Sequence, residues 1–156
     1  AKNLTVIRYP RGGEPEIPNC YHTTNNDYDY FENSNDVLII SYGRVSANVL
    51  NAVEILKDKD ISVSVLILNK IKPINIETID IAKKYNKIFF YEESVKSGSI
   101  GESFADCLLN NGFNKEYIHI AVDDEFIPHA SVQSLMKKYE LDTDSIVKNI
   151  MEKING

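Results

Sequence analysis

Continuous apolar runs alternate along the chain with apolar residues at helical spacing. Four runs have the length of strands: Val37–Tyr42, Ile61–Leu68, Ile88–Tyr91 and Tyr117–Val122. Unbroken runs are typical of strands that are covered on both faces, as in a parallel sheet. Between them, residues such as Val45, Val49 and Leu56 mark one face of a helix. The alternation therefore predicts an α/β fold: an open, mostly parallel sheet of five strands with helices on both faces.

Polar residues mark where the predicted helices begin. Asn75 and Ser131 are expected N-caps, and Asp142 or Thr143 takes that place before the last helix. Gly112 is expected just beyond the end of the third helix, because glycine accepts a left-handed backbone. In the last helix we expect three residues to face inward: Ile146, Ile150 and Ile154.

The beginning of the chain has a different pattern. Leu4–Tyr9 predicts a strand, and a polar stretch rich in Asn, Asp, Pro and Tyr follows it. Within that stretch, Tyr28–Phe31 is the candidate for the fifth strand. A strand before a long linker is typical of the end of another domain. We therefore divide the chain into the end of a preceding domain (1–10), a linker (11–35) and one α/β domain (36–156).

Composition narrows the class of protein. The 156 residues suit one domain with an added arm, and 43% hydrophobic residues are enough for a core. The net charge of −6 argues against a nucleic-acid or anionic-membrane surface. No apolar run is long enough to span a bilayer, and Cys20 and Cys107 lack metal-site spacing. These features predict a reduced, cytoplasmic setting with no nucleic-acid or membrane partner.

Candidate chemistry begins with two acids at the end of the third predicted strand. Glu92 and Glu93 could form a general acid/base pair, but acids at a strand end more often accept backbone N–H groups of the next loop, and we favour that structural role. Ser97–Gly101 could cradle a phosphate before a helix. It matches no phosphate-loop motif, so a tight turn is the simpler interpretation.

Three other segments carry polar candidates. His129 follows a proline beside a helix cap, where a histidine is more often a hydrogen-bonding partner than a catalyst. Asp123–Glu125 lacks the alternating ligands of a calcium loop and predicts a solvated turn. Arg8 and Arg11 flank a turn at a strand end, where they could grip a phosphate or be solvated. From spacing alone, the sequence predicts a fold and no reaction.

Short motifs are distributed along the chain. They lie at Ile7–Gly12, Ile40–Gly43, Lys70–Ile74, Tyr91–Ser94, Asp124–His129 and Tyr139–Asp142. In this order they resemble segments of 1-deoxy-D-xylulose-5-phosphate synthase, a transketolase-like family: the I-R-Y-P-R-G that ends its pyrimidine-binding domain and, in its C-terminal domain, the first strand and turn, R-F-V-K-P-L, V-E-E-N, D-x-F-I-x-H and E-L-G-L-D. Two family glycines are replaced, by Ser99 and by Glu140, and the change at Ser99 is expected to remove backbone freedom.

The resemblance implies how the parts of the enzyme are divided. In this family, thiamine diphosphate and Mg²⁺ lie between the first two domains, so this third domain should hold no catalytic residue, cofactor ligand or metal ligand. Its implied role is to stabilise the fold and the homodimer, and to flank the substrate entrance, with the remaining domains as partners. One strand is expected to be antiparallel. Arg8 matches the arginine that binds the substrate phosphate, while Glu92, Glu93 and His129 are candidate structural or flanking residues.

Other assignments remain open from the sequence. The acidic pair and the Lys-Pro motif are shared with transketolases and with the β subunits of 2-oxo-acid dehydrogenases. A stand-alone doubly wound binding module is a further alternative. A receiver-like version would need acids after the first strand, where this chain has Ser41–Arg44.

Overall fold

Five strands form one sheet in the computed structural model, which describes residues 4–6, 15–22 and 24–155. The strands are β1 (Tyr28–Phe31), β2 (Val37–Ser41), β3 (Ser64–Leu68), β4 (Lys87–Val95) and β5 (Glu116–Val122). Their spatial order is β1-β3-β2-β4-β5. Strands β2 to β5 are parallel, and β1 runs antiparallel to β3. The predicted sheet, its strand at Tyr28–Phe31 and its single antiparallel member are confirmed.

Five helices connect the strands or follow the sheet: α1 (Val45–Lys57), α2 (Ile76–Ala82), α3 (Ile100–Asn110), α4 (Val132–Lys138) and α5 (Thr143–Asn155). Among the described residues, no helix is both long and apolar enough to cross a membrane.

The continuous apolar runs arise because the sheet has a core on each face. Successive strand residues point to opposite faces. Ile39 and Phe89 therefore belong to one core, which α1 and α5 cover. Ile40 and Phe90 belong to the other, which α2 and α3 cover. Strand β4 lies inside the sheet between β2 and β5, as its fully buried Ile88–Tyr91 run predicts.

Two predicted strand boundaries were wrong. The strand predicted from Ile61 begins only at Ser64, because Asp60 adopts a left-handed φ of 60° and the Ile61 N–H closes the end of α1 by donating to Leu56 O. Strand β4 continues to Val95, past the predicted end at Tyr91, with an irregularity in its pairing to β5. Glu92 and Glu93 thus lie within the strand.

The predicted helix caps at Asn75 and Ser131 are confirmed, since each side chain accepts a backbone N–H of its helix's first turn. Gly112 follows α3 with a φ of 82°. The last helix begins at Thr143, after Asp142. Along α5, Ile146 and Ile150 are buried, but Ile154 is 36% exposed because the core does not extend past Met151. The inward prediction for Ile154 was wrong.

The segment before β1 is attached to the domain. Tyr21 is buried in the core beside α1, and its hydroxyl donates to Glu54 Oε1 at 3.1 Å. The buried Asp29 carboxylate accepts Thr24 N–H and Oγ1–H and Asn69 Nδ2–H. The sheet therefore begins inside the range 11–35. The domain boundaries themselves remain predictions.

The predicted strand Leu4–Tyr9 is described only in part. Residues 4–6 are irregular, and the side chains of Leu4 and Val6 are exposed, so the strand prediction was wrong there. The rest of that segment, including Arg8, lies outside the described residues.

The two positions where family glycines are replaced differ in backbone conformation. Ser99 has φ −79° and ψ 174°, which any residue adopts, and its Oγ caps α3 by accepting Glu102 N–H at 3.2 Å. The backbone freedom that a glycine would have given is therefore not needed at this position. Glu140 has a left-handed φ of 59°, and its Oε2 accepts Asn149 Nδ2–H at 3.1 Å. Only this second position has a conformation that favours glycine.

We predict that Glu140→Gly is more stable than Glu140→Ala by about 1 kcal/mol, because both variants lose the Asn149 bond but only glycine adopts this φ without strain. Urea unfolding of the 156-residue chain measures the difference. At Lys148, an exposed residue inside α5, the order should reverse, with glycine about 1 kcal/mol less stable than alanine. The same order at both positions would contradict a strained backbone at Glu140.

Candidate functional site

The crevice at the carboxyl ends of β2 and β4 is the place where this fold would bind a ligand. The helix that follows β2, α1, covers one face of the sheet, and the helix that follows β4, α3, covers the other. Adjacent parallel strands whose helices diverge in this way leave a crevice between their carboxyl ends, and open α/β sheets use it for ligands.

The carboxylate of Glu92 fills this crevice. Its side chain is 0% exposed. Tyr42, one residue beyond β2, donates its hydroxyl to Glu92 Oε2 at 2.8 Å. Gly101 N–H, in the first turn of α3, donates to Oε1 at 3.0 Å. His119 Nε2, on β5, lies 2.5 Å from the same oxygen. Donors from three elements thus converge on one carboxylate.

The alternation of side chains along the strands explains why these groups meet. Glu92 has the same parity as Ile88 and Phe90, and Tyr42 the same parity as Ile40, so both side chains point to the face covered by α3. Glu93, the next residue, points the other way and is exposed. The structure therefore does not bring the two acids together as a pair.

Gly101 is the residue that allows α3 to approach this closely. A Cβ at this position would lie 2.6 Å from Glu92 Oε1 and 2.8 Å from His119 Cδ2. Its carbonyl accepts the Tyr117 hydroxyl at 2.7 Å, which joins α3 to β5. A side chain here would push the helix away from the carboxylate.

The hydrogen bonds keep Glu92 ionised. Burial by itself raises the pKa of this carboxyl, but the bonds from His119, Ser99, Tyr42 and the Gly101 N–H together outweigh it, so the pKa lies below its ordinary value. Since an ionised carboxylate only accepts, His119 Nε2 carries a proton toward Glu92.

The two tyrosines beside the carboxylate stay protonated. Burial, followed by the hydrogen bond to Glu92, raises the pKa of Tyr42. Burial, followed by the negative charge of Glu92, raises the pKa of Tyr117. Both hydroxyls are therefore available as hydrogen-bond donors.

This arrangement resembles a completed polar cluster more than an open catalytic site. The buried carboxylate accepts donors at both oxygens, and only 16% of the His119 side chain is exposed. The described residues contain no group of three His, Cys, Asp or Glu side chains that could hold a metal ion. The structural role favoured for Glu92 from the sequence stays a prediction, which the hydrogen bonds of its carboxylate make testable.

The structure does not bring His129 into this cluster. His129 is exposed in the loop between β5 and α4. Arg8 lies outside the described residues. From the sequence, His119 was set aside because it has no cysteine or histidine partner nearby. A signal was present: it is a polar residue on the same face as Tyr117, within the apolar run Tyr117–Val122 of the strand next to β4.

Comparison with known proteins identifies the family. A sequence model described as "Transketolase, C-terminal domain" matches residues 30–146. The chain belongs to the transketolase C-terminal domain family. This assignment confirms the resemblance that the short motifs indicated and agrees with the five-stranded, mostly parallel sheet.

Named relatives of this transketolase C-terminal domain fall into two groups. A 1-deoxy-D-xylulose-5-phosphate synthase of Caldanaerobacter subterraneus subsp. tengcongensis is 30% identical over 95% of the chain, and that of Clostridium tetani is 28% identical over 94%. The chain spans 24% of the length of each. A "putative transketolase C-terminal section" of Methanocaldococcus jannaschii is 34% identical over 76% of the chain, and the match spans 37% of the length of that protein.

One similar solved structure shares the fold. It is described as a split gene transketolase in an inactive β4 tetramer, superposes with a TM-score of 0.75 at 24% identity, and matches 91% of this chain and 47% of its own. At this identity the likeness supports the architecture of the sheet and helices.

We predict that Glu92→Gln lowers the free energy of unfolding by about 1–3 kcal/mol, because the charge that strengthens three hydrogen bonds is lost and one donor of the cluster must find a new partner. Urea unfolding at pH 7 measures this. The matched control is Glu93→Gln, which alters an exposed acid and should change stability by no more than about 0.5 kcal/mol. Equal effects at both positions would contradict the role of the buried cluster.

The difference in stability between wild type and Glu92→Gln should also depend on pH. The pKa of Glu92 in the folded protein lies below the ordinary value of 4.5. The contribution of the ionised Glu92 to the free energy of unfolding is therefore fully present above pH 4.5 and is lost as the pH falls through the folded pKa. Unfolding curves for both proteins at a series of pH values below 6 test this. A difference that grows toward acid would contradict an ionised Glu92.

Proposed function

We propose that this chain is the C-terminal domain of a 1-deoxy-D-xylulose-5-phosphate synthase, which joins pyruvate to glyceraldehyde 3-phosphate with release of CO₂. The observation that carries the proposal is the extent of the match: several curated proteins of that name align with 93–97% of the chain. The resemblance at Ile7–Gly12 adds a segment of the preceding domain in the expected place.

The cofactors of such an enzyme would be held elsewhere. The described residues do not fit thiamine diphosphate or Mg²⁺: they contain no metal-binding group of acids, cysteines and histidines, and the carboxylate at the crevice already accepts internal donors. We therefore assign thiamine diphosphate, Mg²⁺ and the catalytic residues to the other domains, and no catalytic step to this one.

A structural role for this domain agrees with its polar cluster. Glu92 connects β2, β4, β5 and α3 where a ligand would otherwise enter. We propose that the domain stabilises the fold and supplies part of a homodimer contact in a cytoplasmic enzyme. The split gene transketolase of similar fold is itself described as a tetramer, which supports self-association in this family.

Arg8 is the residue that we assign to substrate. In this proposal its guanidinium binds the phosphate of glyceraldehyde 3-phosphate through two parallel charge-assisted hydrogen bonds. Glu92, Glu93 and His129 are assigned structural or flanking roles.

A second candidate is the C-terminal section of a split transketolase, made as a separate subunit. The 34% identity to the Methanocaldococcus jannaschii protein favours it. Turnover that does not depend on pyruvate would distinguish this candidate, because the synthase reaction consumes pyruvate.

In the longer protein, we predict that Arg8→Ala raises KM for glyceraldehyde 3-phosphate roughly ten- to a hundredfold, since losing a charged hydrogen-bond partner of a phosphate costs about 1.5–3 kcal/mol. KM for pyruvate, which has no phosphate, should change much less. Steady-state kinetics with each substrate varied in turn measures both constants.

The matched control is Arg11→Ala, which removes a nearby arginine that we expect to be solvated. It should leave both KM values within about threefold of wild type. Equal changes for the two substrates in Arg8→Ala would reject the phosphate role. The isolated 156-residue chain should neither turn over substrate nor bind thiamine diphosphate, and a saturable heat of binding in calorimetry would overturn the division of roles.

A further inference from the structure

The loop between β5 and α4 exposes large apolar side chains. Phe126 is fully exposed, Ile127 is 51% exposed, and Val132, at the start of α4, is 42% exposed. We call these three residues the apolar rim. Single exposed apolar residues are common on protein surfaces, but a group that includes a complete aromatic side chain marks a site of interaction.

The rim is held in place by the structure around it. Asp123 pairs with Lys96 at 3.0 Å. Glu125 Oε1 accepts Lys138 Nζ at 2.7 Å and the Tyr139 hydroxyl at 2.8 Å. Ser131 caps α4. Because the loop is anchored on both sides of Phe126, the aromatic ring is presented to solvent at low entropic cost for a binding partner.

Pro15 and Ile17 lie close to the segment before α1, and Pro15 also lies close to the start of α4. Pro15 lines a groove of about 460 Å³ together with Val132 and with Arg44, the residue before α1. Pro15 and Ile17 also line a neighbouring groove of about 600 Å³ beside Gly43. Pro15 therefore lies near Val132, one of the three residues of the apolar rim.

We propose that the apolar rim is the docking surface for the domain that precedes this one in the longer relatives, with Phe126 as the anchor in an apolar pocket of that domain. The inference rests on the proposed function only in that the chain is one part of a longer protein, since it spans 24% of the curated synthases. A domain joined to the chain ahead of Pro15 would be tethered near Val132, which would raise its effective concentration at the rim. Aromatic anchors of this kind dominate interface energetics.

Hydrogen exchange of the longer protein and of the isolated 156-residue chain tests the proposal. Amides of residues 124–132 should exchange at least about tenfold more slowly in the longer protein. Phe126→Ser should remove most of that protection. In the isolated chain the same variant should shift Tm by no more than about 2 °C, because Phe126 packs against little there.

The matched control is Leu109→Ser. Leu109 is 64% exposed in the last turn of α3, and because α3 follows β4 and runs back along the sheet, this residue lies toward the opposite edge. The variant should leave protection of residues 124–132 unchanged in the longer protein.

Two outcomes would overturn the proposal. One is equal exchange of residues 124–132 in the two proteins. The other is protection in the isolated chain that increases with its concentration and is lost in Phe126→Ser, which would make a second copy of the chain the occupant. Neither measurement uses substrate, so a longer protein with a different reaction would refute the proposed function and leave the docking result standing.

Discussion

The buried, ionised carboxylate of Glu92 is the constraint on which the centre of the domain depends. A buried charge is tolerated only when donors surround it, and here they come from the end of β2, the first turn of α3 and strand β5. The helix N-terminus adds favourable partial positive charge. The side chain that joins these elements lies at the carboxyl ends of β2 and β4, where doubly wound proteins bind ligands, so the polar groups that other folds turn toward a ligand here bond to one another.

Most of the architecture followed from local patterns. The β-branched runs, the helix caps and Gly112 each reflect a conformational preference of a few neighbouring residues. Packing in the two cores favours the same strands and helices. Boundaries failed where a backbone detail decided them, as at the left-handed Asp60 and the irregular pairing in β4. The prediction that Ile154 faces inward was wrong because the length of the core, rather than helical spacing, determines where burial ends along α5.

The polar cluster was harder to predict because its members are distant in sequence. Glu92 is 27 residues from His119 and 50 from Tyr42, and their contact depends on strand order as well as on side-chain parity. Glu92 itself was a candidate from the sequence, and a structural role was favoured because acids at a strand end often accept backbone N–H groups of the next loop. His119 was passed over because no partner was visible nearby. The glycine at position 101 became meaningful only when its neighbours were known.

The stretch between Pro15 and β1 has a mechanical consequence. A flexible linker would absorb the motion of whatever it connects, but here Tyr21 is inserted beside α1 and Thr24 is held to β1 by Asp29, which also binds Asn69 at the end of β3. A displacement of this segment would therefore also displace the β1 edge of the sheet and α1. A force applied at Tyr21 or Thr24 would act directly on α1 and on the β1 edge, without slack in this part of the segment.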